Sequence, residues 1–115
     1  MAALMYPPFI VTADVPGTGT VTHTVIRELF VYDASVYATA TGGGAGTVKL
    51  TNAAGADITD TMACQVDTTV DRAALLVSTA AVVAAAGSLN FVSADAAVGT
   101  VTAHVVLPAS AIALP

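Results

Sequence analysis

The chain has 115 residues, a mass of 11.3 kDa and a formal net charge of -5. Its 25 Ala, 17 Val and 16 Thr make half of it, and only 11 side chains are charged: Lys49, Arg27, Arg72, Glu28 and seven aspartates. Three basic residues all but exclude binding to nucleic acid or to an anionic bilayer through charge, and few groups remain to act as acids, bases, nucleophiles or metal ligands.

A chain of this length is expected to form one domain. Its mean hydropathy of +0.81 suggests a membrane span, but the longest apolar run is residues 80–86. A spanning helix needs about twenty such residues. No Trp and three Tyr leave no aromatic girdle for a membrane barrel. Residues 1–8 have no basic start, and Pro7 and Pro8 fall where an apolar signal core would lie, so no secretory signal is expected. A soluble chain is expected. The single Cys64 rules out an internal disulfide.

In chain order, residues 1–16 stand apart, with Pro7, Pro8 and Pro16 around Phe9, Ile10 and Val11. They are expected to form an edge strand or an extended arm that packs on a neighbour, ahead of a single β-sandwich domain over residues 17–115. From there the hydrophobic pattern has period two. Over residues 18–27, Thr18, Thr20, Thr22 and Thr24 point one way while Val21, His23, Val25 and Arg27 point the other. The alternation returns over residues 36–41, 47–51, 58–66, 89–93 and 99–107. Turn residues separate these runs: residues 33–35, the Gly-rich 42–46, 52–57, 87–88 and 95–99. Short strands spaced in this way predict an all-β antiparallel sandwich rather than βαβ units. Residues 71–86 also fit a helix capped by Asp71 and ended by Gly87. They lack a polar face, however, and extended structure is favoured.

Residues with potential chemistry are scattered. His23 and His104 fall on the first and last long strands, which a sandwich can place side by side, but two exposed or hydrogen-bonded histidines are the simpler reading. Asp57, Asp60, Asp67 and Asp71 form the densest acidic stretch, without a calcium-loop spacing, and are expected to cap turns or face solvent. Cys64 has no nearby His and is expected to be a core thiol. Residues 42–46 lack the Lys-Ser/Thr of a phosphate loop and are expected to form a hairpin tip. Asp71 and Arg72 are a plausible local ion pair. Glu28 and the aspartates could supply paired carboxylates, but the chain is too short and too poor in aromatics for a sugar groove. No enzyme, cofactor, metal or small-molecule substrate is expected.

Residues 46–60 (GTVKLTNAAGADITD) resemble a hairpin found in head decoration, or cement, proteins of tailed phages. Residues 83–92 (VAAAGSLNFV) and 99–108 (GTVTAHVVLP) resemble their closing strands. The resemblance implies a jelly-roll-like sandwich, homotrimers, contact with the major capsid protein and a place on the capsid exterior of the virion. Its motifs assign no contact residues. From composition alone, the apolar, proline-bearing start (Tyr6, Pro7, Pro8 and Phe9) is the candidate oligomer or capsid contact. Other readings are another phage structural β-domain (head fibre, spike or tail-associated) and a cellular carbohydrate-binding or adhesin-like module. Tyr6, Tyr32, Tyr37 and three Phe are few for a sugar platform.

Overall fold

The computed structural model describes residues 9–40, 46–77, 82–84 and 86–106. It is an antiparallel β-sandwich with no helix among these residues. The strands are β1 (Phe9–Pro16), β2 (Gly19–Thr24), β3 (Leu29–Ala38), β4 (Thr47–Asn52), β5 (Met62–Ala63), β6 (Val70–Arg72), β7 (Val82–Val83), β8 (Ser88–Ala94) and β9 (Val98–Val106). One sheet has the order β1-β9-β3-β6, with β7 also on the outer edge of β3; the other has the order β2-β8-β4-β5. The pairings nest along the chain: β1 with β9, β2 with β8, β3 with β6 and β4 with β5. This is one long hairpin rolled on itself, the jelly-roll topology.

Period two is cleanest where strands are central. In β9 the burial alternates without a break from Val98 to Val106, and in β8 from Ser88 to Ala94. The two sheets contribute unequally to the core. The β1-β9-β3-β6 sheet supplies mostly small or branched side chains: Val11, Val15, Val31, Ala34, Val36, Ala38, Val101, Ala103 and Val105. The facing sheet supplies larger ones: Leu50, Met62, Leu89 and Phe91. Large against small lets the layers interdigitate at native density.

β3 departs from the sequence expectation. Residues 33–35 were expected to turn, but they lie inside a ten-residue strand. A β-bulge between Val31 and Asp33 adds Tyr32, so the inward residues run Val31, Ala34, Val36. The extra residue shifts the phase of the alternation and hides the strand from a period-two search. β2 departs in the opposite way: it ends at Thr24, so Val25 and Arg27 belong to the connection that follows.

Of the stretch over residues 71–86, the described parts contain no helix and are mostly extended, with a turn at Ala86. Asp71 and Arg72 lie in β6, Leu76 bridges to Thr59, and Val82 and Val83 form β7. β6 and β7 pair with the same edge of β3 at Tyr37–Ser35 and at Phe30–Leu29. Between them the Val77 N–H donates to Ile58 O at 2.9 Å and the Asp60 N–H to Leu75 O at 3.2 Å. Tertiary partners on two sides outweigh the helix propensity of the alanines. The run over 58–66 is likewise only partly strand, reduced to β5 and one isolated bridge at Thr59.

The β8–β9 connection, which carries the chain from one sheet to the other, turns through Asp95 and Ala96, both with positive φ (56° and 62°), and the Ala97 N–H donates to Ala94 O at 3.3 Å. Positive φ at both central residues makes this a primed turn, and an alanine there crowds its Cβ against the backbone. Ala96→Gly is therefore expected to stabilise the protein by about 0.5–1 kcal/mol and to raise the thermal midpoint by about 2–5 °C. Calorimetry of the two proteins checks this; a lower midpoint would show that the strain is relieved elsewhere.

Candidate functional site

The sequence-derived contact residues fall mostly outside the described part of the chain. Tyr6, Pro7 and Pro8 lie outside it, and Phe9 is placed by its backbone, which opens β1 opposite Val105. β1 is an edge strand, paired with β9 from Phe9 to Pro16.

The residues considered for chemistry are dispersed. His23 lies in β2 and His104 in β9, so they belong to different sheets. His104 stands opposite Asp33, and its ring centroid lies 6.1 Å from that of Tyr32. Cys64 is buried, its Sγ 3.4 Å from Val98 O, and burial pushes its thiol pKa up. A thiol held protonated in the core is a poor nucleophile. No group of three or more His, Cys, Asp or Glu side chains among the described residues is placed to hold a metal ion.

Three of the clustered aspartates serve the fold. Asp57 pairs with Lys49 at 2.9 Å. Asp60 Oδ1 accepts the N–H groups of Ala74 at 3.0 Å and Leu75 at 3.3 Å, and Asp71 Oδ2 accepts that of Ala63 at 2.7 Å. The Asp60 and Asp71 carboxylates satisfy backbone donors along the flank where β5 and β6 lie. Asp71 and Arg72 do not pair with each other. They are adjacent in a strand and so face opposite sides; Arg72 reaches across to Asp33 on β3, with Nε 2.9 Å from Oδ2 and Nη2 on the same oxygen. The Arg72 guanidinium holds the Asp33 carboxyl below the usual carboxylate range. No sequence signal linked these two residues, because the contact depends on β3–β6 register.

The structure brings together a surface that sequence reading missed. On the outer face of the β1-β9-β3-β6 sheet, Asp14, Thr100, Tyr37 and Val70 form one row. Thr12, Thr102, Ser35 and Arg72 form the next, followed by Ile10, His104 and Asp33, and then by Val106, Phe30 and Val82. Val70 is 67% exposed, Ile10 56%, Tyr37 43% and Val82 43%. Besides His104, the acidic and basic side chains in these rows are Asp14 and the Asp33–Arg72 pair; Asp14 accepts from the Thr100 hydroxyl at 2.9 Å. The signal lay in the alternation itself: on β3, β6 and β9 the outward positions are mostly Thr, Tyr, Val or Phe, with Asp33, Ser35, Arg72 and His104 as the others, where a solvated sheet face normally carries more charge.

A depression of about 310 Å³ lies where β2 ends and β3 begins, lined by Val11, His23, Thr24, Val25, Ile26, Arg27 and Leu29. Its walls are largely apolar, and Ile26 is 88% exposed. It gathers one histidine and one arginine, without a nucleophile or paired carboxylates.

No family model, curated protein or solved structure matches the chain.

Proposed function

We propose that this chain is a structural virion protein of a tailed phage: a decoration protein that binds the major capsid protein on the outside of the head and stabilises the shell. The observation that carries this reading is the outer sheet face. Ile10, Tyr37, Val70 and Val82 are largely exposed there among threonines, with a single ion pair. Apolar groups of this size on one face suit a surface that is covered in use. Repeated over a lattice, modest contacts add through multivalency. The jelly-roll strand order and the low charge agree with this role.

The test is co-sedimentation with undecorated heads of the encoding phage. The protein should pellet with the heads. Tyr37→Asp and Val70→Asp, each placing a charge on the exposed face, should weaken binding by about tenfold or more while leaving the far-ultraviolet spectrum unchanged. Wild-type protein that stays in the supernatant at every concentration would reject the reading. Unchanged binding by both variants would reject this face as the contact.

A carbohydrate-binding module is the second reading, and it gains from Tyr32 and Tyr37, both exposed on β3. Retention on a glycan panel, lost in Tyr32→Ala and Tyr37→Ala, would favour it over the first.

A further inference from the structure

The four sheet edges are protected very unequally. β5 and β6 are two and three residues long, and Asp60 and Asp71 bond backbone N–H groups beside them. β1 carries Asp14 and ends in Pro16. Short strands, charge and proline are the usual guards against pairing with another chain. β2 has none of them. Its six residues, Gly19-Thr20-Val21-Thr22-His23-Thr24, include no Lys, Arg, Asp, Glu or Pro, and all but Val21 are exposed.

The hydrogen-bond phase of β2 shows which groups are unused by the sheet. The Val25 N–H donates to Gly87 O at 3.0 Å, while Thr24 stands opposite Ser88. Bonding alternates along an antiparallel pair, so Gly19, Val21 and His23 bond β8, and Thr20, Thr22 and Thr24 turn their N–H and C=O groups to the open edge. Among the described residues no strand pairs there.

We infer that this edge joins two copies of the chain by antiparallel β2–β2 pairing about a twofold axis through Thr22. The sequence is self-complementary in this register. Thr22 faces Thr22 of the second copy, Thr20 faces Thr24, and Val21 faces His23. All three outward-turned residues meet outward-turned residues, so each pair exchanges both of its hydrogen bonds. Threonine pairs are favourable cross-strand neighbours, and no like charges meet. The two four-stranded sheets become one of eight strands, and a twofold contact closes after two copies. This is a different symmetry from the threefold that the phage resemblance implies, and it does not depend on head binding.

Sedimentation equilibrium of the full chain at concentrations up to about 100 µM should return a dimer. Thr22→Lys sets two ammonium groups against each other across the axis and should leave a monomer with an unchanged far-ultraviolet spectrum. Thr22→Pro should do the same, because the lost N–H faces outward and the strand keeps its bonds to β8. If either variant fails to fold, Thr22→Cys decides: a mild oxidant should crosslink it to a covalent dimer, whereas Thr100→Cys on the other sheet should stay monomeric. A monomer at every concentration, a trimer, or a dimer that persists in Thr22→Lys would overturn the inference.

Discussion

Gly99→Ala is expected to destabilise the protein by about 3 kcal/mol, the upper end of the usual cost of overpacking a core. A Cβ at Gly99 would lie 2.5 Å from Tyr37 O, 3.0 Å from Cys64 Sγ and 3.2 Å from Ala38 Cα. The nearest atom is backbone, within the β3–β9 ladder where Ala38 stands opposite Gly99. Relief therefore requires the two central strands to separate or β9 to tilt, and either change disturbs the buried row that follows. Gly55→Ala supplies the contrast. Gly55 has φ +84° and nothing within 4 Å, so its cost is conformational alone, about 1–2 kcal/mol. Adding Cys64→Ala to Gly99→Ala should recover only part of the loss, because the carbonyl contact remains. Urea unfolding of these variants measures the differences; full recovery in the double variant would place the clash at the sulfur instead.

Phe91→Ala is expected to cost about 3–5 kcal/mol, a large share of the 5–15 kcal/mol that typically holds a domain together. Among the described residues Phe91 is the largest fully buried side chain, at the centre of β8 between Val21 on β2 and Leu50 on β4. The facing sheet presents mainly Val and Ala, short branched or single-carbon side chains that cannot extend to fill the cavity left behind. Phe91→Leu keeps most of the volume and should cost less than about 1.5 kcal/mol. The urea midpoint should fall in that order with the slope unchanged. Equal losses for both variants would mean that ring geometry, rather than volume, sets the cost.

These two sites show how far local sequence carries the fold. Phe91 could be read as an inward residue, since Leu89, Phe91 and Ser93 alternate cleanly with Asn90 and Val92. Gly99 could not be read as a contact point. In sequence it follows a turn, and only the β3–β9 register and the position of Cys64 show that its missing side chain makes room for a neighbouring backbone. The first half of β3 was hidden for a related reason: the bulge at Tyr32 reverses the phase, so an alternation search finds the strand only from Val36 onward.

The site was less legible than the fold. The aspartates were expected at turns or in solvent, and Asp60 and Asp71 do bond backbone donors, but nothing local shows that Ala74 and Ala63 supply them. Likewise, Arg72 has an acidic neighbour in sequence at Asp71 and a bonded partner 39 residues away at Asp33. The exposed sheet face combines residues from β1, β3, β6, β7 and β9, each unremarkable in its own strand.

By itself, then, the amino-acid sequence determined the fold class, the inward and outward positions of the regular strands, and the scarcity of charge. Those properties follow from periodicity and composition, which act within a few residues. Tertiary structure decided which strands became neighbours, where β3 bulges, which carboxylates meet which donors, and which edge stays open. Each of these is a contact between distant segments, set by register and close packing, and a one-residue slip in register would move every side chain of the strand to the other face.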